Sequence, residues 1–141
     1  MGSGYKRADL QAIAQAKLDD ALNLLKNGRF SNAYYLSGYA VEIGLKACVA
    51  AQISADTIPD PDLMKNVLNH DFKKLVGLAG LQTELRLAES SDPRFHAYWG
   101  IVSDWSPESR YENCDPMTAQ LMVEAVGNST SGVLKWIKKF W

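Results

Sequence analysis

From about Arg7 to Asn27, Leu10, Ala14, Leu18, Ala21 and Leu25 recur at steps of three and four, with Ile13 and Leu24 beside them, while Gln11, Gln15, Asp19, Asn23 and Lys26 fall between. That spacing predicts an amphipathic helix with one face toward a core. Gly28 follows where a helix ends in a left-handed residue, a conformation glycine adopts at little cost. From about Ser31 to Ile53 the apolar positions broaden. Ala33, Leu36, Ala40, Ile43, Gly44, Ala47 and Ala51 make a face of mostly small residues, and the opposite stripe carries Tyr35, Tyr39, Glu42 and Lys46. A helix apolar around so much of its circumference belongs at the centre of a bundle. The short connection makes the first two helices an antiparallel hairpin.

Pro59-Asp60-Pro61 forbids regular structure, so Ser54 to Asp62 reads as a loop, with a helical stretch over Leu63 to Leu68. Asp71 stands as the N-cap of a short amphipathic helix carrying Phe72, Leu75 and Val76 and closed by Gly80. Leu81 to Ser90 reads as helical. Ser91-Asp92-Pro93 is a restart with proline at the first helical position, and Phe95 to Val102 forms a further short helix despite Gly100. Trp105 to Tyr111 has no period and reads as an ordered loop or a single turn. Asp115-Pro116 opens the last segment, in which Met122, Ala125, Val126, Val133, Trp136 and Ile137 share one stripe. The stripe keeps its phase across Gly127 and Gly132, which predicts one long helix, bent or closely approached at the glycines. There is no strand-like alternation and no internal repeat. The expected fold is all-α, an up-and-down helical bundle of four to five helices, in a single domain over residues 7–141 behind a flexible N-terminus at residues 1–6.

Composition narrows the function classes. The chain has 141 residues, 47% hydrophobic, enough for one domain with a real core and too apolar for a disordered tail. Fifteen Lys and Arg against sixteen Asp and Glu leave no global basic field to hold nucleic acid by phosphate neutralisation alone. The apolar-rich segment Ala33 to Ile53 is interrupted by Glu42 and Lys46, so no membrane span is expected, and no apolar run near the N-terminus suggests a signal peptide. The two cysteines, Cys48 and Cys114, form no zinc spacing, and a reduced, cytoplasmic chain is the simpler reading. No phosphate-cradling glycine loop and no nucleophile elbow occurs, and two histidines without paired carboxylate spacing argue against a metal site. No cofactor is expected.

The candidate chemistry lies in a few polar residues. Glu42 precedes Lys46 by four, the better orientation for a helical ion pair. On so apolar a helix the pair sits either at the bundle rim, with the lysine stem covering apolar surface, or in a polar cleft or dimer interface. His70, at the start of a helix, either bonds a backbone group or contacts a phosphate or partner. His96 lies in an aromatic stretch and reads as structural or exposed. Arg110 and Tyr111 follow Trp105, and arginine beside aromatic rings both stacks and makes forked bonds to carboxylates or phosphates. Arg110 is either an internal clamp, to Glu42 or Asp115, or a ligand contact. Lys135, Lys138 and Lys139 suit the end of a helix and are too few for a nucleic-acid surface.

The run from Gly28 through Ala47, with its Tyr39-Ala40-Val41-Glu42 and Leu45-Lys46-Ala47, resembles the second-helix signature of HEPN domains. His70-Asp71-Phe72-Lys73-Lys74-Leu75 resembles the downstream histidine segment of that family, and Trp105 through Tyr111 resembles the Trp-x-x-x-x-Arg-Tyr element of one of its branches. The resemblance covers most of the chain. It implies a helical bundle that commonly dimerises, found among ribonucleases and toxins and among non-catalytic partners of small nucleotidyltransferases. The nuclease branch carries Arg-x(4–6)-His, in which arginine binds phosphate and histidine helps the RNA 2′-hydroxyl attack. Here the positions after Arg110 hold Asp115, Pro116 and Met117, and those after Arg94 hold Trp99, Gly100 and Ile101. Lys65 stands where an arginine would precede His70, and lysine lacks the guanidinium fork. The residues that match the branch are Glu42, Lys46, His70, Arg110 and Tyr111. The resemblance therefore implies a non-catalytic binding module, a homodimer with a nucleotidyltransferase partner and a nucleotide or RNA phosphate ligand. The alternative is a divergent ribonuclease toxin using His70 or His96 with Arg110.

Overall fold

A computed structural model describes residues 4–141; part of the N-terminal stretch expected to be flexible, residues 1–3, lies outside the described residues. The chain is all-helical, with no strand among the described residues. The two long helices are α1 (Arg7–Lys26) and α2 (Phe30–Ala50). Gly28, at φ 73°, reverses the chain between them in the left-handed region that favours glycine. Four shorter helices follow: α3 (Pro61–Asn66), α4 (Phe72–Leu78), α5 (Gln82–Ser91) and α6 (Pro93–Ser103). A single 3-10 turn, Pro107–Tyr111, leads to α7 (Pro116–Gly127) and α8 (Val133–Ile137).

The starts of these helices follow local chemistry. Asp60, Asp71, Asp92 and Asp115 each accept a hydrogen bond from a backbone N–H of the first turn, and Pro61, Pro93 and Pro116 open α3, α6 and α7. The count exceeds the expected four to five because the short helical segments after α2 stay separate helices, each with its own start, and the last segment divides in two. Gly100 does not interrupt α6, which runs unbroken from Pro93 to Ser103 and packs against α5, α7 and α8.

The last segment departs from expectation. One continuous helix was predicted, yet α7 ends at Gly127 and α8 starts at Val133. The Asn128 side-chain carbonyl accepts from the N–H groups of Thr130 and Ser131, at 2.9 and 2.8 Å, and so replaces the helical bonds with a local turn. The chain closes tightly enough that a Cβ at Gly132 would lie 2.4 Å from the Asn128 carbonyl oxygen. Val126 and Val133 stay fully buried on either side of the break, so the apolar phase survives although the helix does not.

Helix α2 is the hub. It packs against α1, α4, α7, α8 and the 3-10 turn. Val41, Leu45 and Val49 are fully buried. The small face operates as expected: a Cβ on Gly44 would lie 3.1 Å from Ile137 and 3.2 Å from Leu134, so glycine there lets α8 approach. No described helix is long and apolar enough to cross a membrane.

Both cysteines are free. Cys48 is buried, its Sγ 3.6 Å from the Ile137 carbonyl, and burial pushes the thiol up to about 12. A thiol so held stays protonated at neutral pH and is a poor nucleophile. In a thiol-labelling time course at pH 8, Cys48 should react only after denaturant is added. The acid limb of stability gives a second test. The Ser131 hydroxyl, with the N–H of Phe95, holds the Asp92 carboxyl below its ordinary 3.8, and the Thr118 N–H does the same for Asp115. A lowered folded value means the contribution is complete above the ordinary carboxylate value and lost as pH falls through the folded one. Helicity followed from about pH 5 to about pH 2 should therefore fall less steeply in Asp92→Asn and Asp115→Asn, relative to their own starting stabilities, than in the parent.

Candidate functional site

Glu42 lies in the middle of α2, on the side covered by the segment leading into α4. Its carboxylate is 2% exposed. One oxygen accepts from the Lys46 ammonium one turn along the helix, Nζ to Oε2 at 3.2 Å. The other meets the His70 imidazole, Nδ1 to Oε1 at 2.7 Å. A carboxylate can only accept, so Nδ1 carries the proton and Nε2 is left without a partner among the described residues. Lys46 is mostly covered, at 14% side-chain exposure, whereas His70 is 56% exposed. The rim reading of the Glu42–Lys46 pair thus holds for the lysine alone; the carboxylate is inside.

His70 reaches Glu42 because two local devices fix the start of α4. Asn69 Oδ1 accepts from the Asp71 N–H at 2.7 Å, and Asp71 Oδ1 accepts from the Lys73 N–H at 2.9 Å. The chain between α3 and α4 is thereby tied to its own backbone and presents the imidazole to α2.

Arg110 and Tyr111 do not join this cluster. Arg110 pairs with no described carboxylate, so the internal clamp to Glu42 or Asp115, one of its two readings, does not form. Its guanidinium lies 4.8 Å from the centre of the Tyr111 ring. It donates to the phenol oxygens of Tyr111 and Tyr35, and these bonds hold it above its ordinary value. The reason is the 3-10 turn: Ser109 is buried against α2, and the next residue is turned out to solvent. Tyr39 lies between the two groups. Burial first, then the Glu42 charge, raise its phenol, and the Arg110 charge opposes them. His96 is also remote from α2. Its Nδ1 meets Glu89 at 2.8 Å on the surface of α5 and α6.

His70 instead lines a cleft of about 820 Å³ that the sequence did not point to. Its walls come from the start of α4, from α5, from the end of α6 and from Trp105 to Pro107. Trp105 forms the floor. Its ring stacks on Phe72 at 5.4 Å and 2°, and its Nε1 donates to the Tyr35 carbonyl at 3.1 Å. Gly38 makes this possible, since a Cβ there would sit 2.2 Å from the indole. Half-buried Trp99 forms an aromatic wall, backed by Phe95 at 6.5 Å and 17°. Lys73 and Arg86 stand on opposite helices at the same cleft. The sequence placed none of the four in a site: Lys73, Arg86 and Trp99 each read as ordinary helix surface or core, and Trp105 stood only at the head of the Trp-x-x-x-x-Arg-Tyr element. No group of three or more His, Cys, Asp or Glu able to hold a metal ion occurs among the described residues.

Two substitutions test this geometry. Lys46→Met leaves Glu42 buried with one partner fewer and should lower unfolding free energy in urea by about 3 kcal/mol. Gly38→Ala drives a methyl group into Trp105 and should cost about 1–3 kcal/mol, with a change in the native indole emission. Comparison with protein-family models, with curated proteins and with solved structures finds no match to this chain.

Proposed function

We propose that this chain is a non-catalytic binding module of HEPN-like type, a homodimer in the cytoplasm, partner to a small nucleotidyltransferase in a two-component or toxin–antitoxin-type system. One observation carries the reading. Glu42 is buried at the centre of an apolar bundle and bonded to Lys46 and to His70, whose ring lines a cleft. A buried ion pair contributes little stability over well-packed apolar residues of the same volume. Its retention is explained by what it positions, namely an oriented imidazole at the edge of a recess large enough for a ligand or a partner side chain. The absence of Arg-x(4–6)-His leaves no basis for the usual RNA cleavage. Met117 and Leu121, exposed one turn apart on α7, offer an apolar strip for self-association.

The second reading is a divergent ribonuclease. It is favoured by the Glu42–His70 bond, which leaves Nε2 of His70 free as a general base or acid. Arg110, with which His70 would act, is not among the residues lining the cleft.

The two readings separate in a single preparation. Sedimentation velocity at micromolar concentration should show a dimer, and bulk RNA incubated with the protein should stay intact. Cleavage abolished by His70→Ala would replace the binding module with the ribonuclease, and a strict monomer would remove the dimer.

A further inference from the structure

We infer that the cleft between α4, α5 and α6 is a small-molecule site for a flat aromatic compound bearing one anionic group, a carboxylate or a phosphate. The inference rests on the binding-module reading and names the ligand class.

The argument begins with charge. Two carboxylates and two cations line the cleft, so the formal count is neutral. The carboxylates are already engaged. Asp71 is the cap of α4, accepting from the N–H groups of Lys73 and Lys74, and Glu89 is bonded to His96. The cations are not: neither Lys73 nor Arg86 forms an ion pair with any described residue. His70 adds a group of a different kind. Glu42 occupies its Nδ1, and Nε2 has no described partner. The groups left over around the recess are therefore an ammonium, a guanidinium and an acceptor nitrogen. The two cations can bind an anion, and the guanidinium matches the two oxygens of a carboxylate or phosphate in a fork, while Nε2 can accept from an N–H or O–H of the same ligand.

The walls decide the rest of the ligand. Half-buried Trp99, backed by Phe95, is the aromatic wall with free ring surface, whereas Trp105, 6% exposed, is packed on Phe72 and the Gly38 backbone and closes the floor behind it. Leu85, Val76 and Pro107 complete the apolar lining. A volume of about 820 Å³ lies within the range of sites for drug-sized molecules. An indole wall at Trp99 favours a planar ring, which can stack on it. A long peptide or a nucleic-acid strand would need contacts running beyond the recess; the unpaired groups and the indoles are gathered within it.

Titration of the full chain, followed by intrinsic tryptophan fluorescence and calorimetry, tests this. The probes are indole-3-acetate and adenosine monophosphate as anions of the two sources, with adenosine as the neutral control. At least one anion should quench saturably below about 1 mM, while adenosine should not. Lys73→Ala and Arg86→Ala, both exposed and expected to melt as the parent does, should each weaken the binding anion about tenfold. Preference for the acetate identifies a carboxylate ligand, and preference for the monophosphate a phosphate ligand. Failure of both anions to bind, equal binding of adenosine, or unchanged affinity in both variants would overturn the proposal. Sedimentation and RNA assays on the same samples keep that failure apart from failure of the binding-module reading, which they address without any small ligand.

Discussion

A carboxylate sealed inside an apolar helix constrains everything around it. Glu42 has no water to solvate it, so its charge must be met by protein, and Lys46 and His70 meet it from two directions. The lysine comes from the next turn of α2 and needs nothing beyond helical geometry. The histidine comes from a distant part of the chain, and its presence obliges the α3–α4 connection to lie against α2. That requirement places α4, and α4 in turn forms one side of the cleft.

The second constraint is aromatic. Trp105 lies between the central helix and the cleft, stacked on Phe72, bonded to the Tyr35 carbonyl and admitted by Gly38. It belongs to the core and to the cleft floor at once. The recess is therefore backed by the same close-packed residues that stabilise the fold, and its shape is a consequence of core packing rather than of a mobile loop. Arg110, four residues after Ser106, is exposed over Tyr111 and does not line the recess. The polar residues singled out by resemblance thus divide between a buried cluster and a surface group, with Tyr39 between them.

Helical order was largely written in the chain. Gly28 and Gly80, both at φ 73°, and the aspartate caps at Asp71, Asp92 and Asp115 mark boundaries that depend only on neighbours in sequence. The failure at Asn128 has an equally local cause, an amide side chain that competes with helical bonding, but its outcome depends on whether Val133 and Trp136 find their burial in a straight or a turned segment. Periodicity cannot distinguish the two, because the stripe keeps its phase in both.

What the amino-acid order determined by itself was an all-helical chain with a central, nearly all-apolar second helix carrying an anomalous glutamate–lysine pair; these follow from side-chain period and local backbone chemistry. Only the tertiary structure decided that His70 rather than Arg110 completes the pair, and that Lys73, Arg86, Trp99 and Trp105 share one recess. Those facts turn on which turns of different helices face each other across several ångströms, and no spacing along a single helix encodes that.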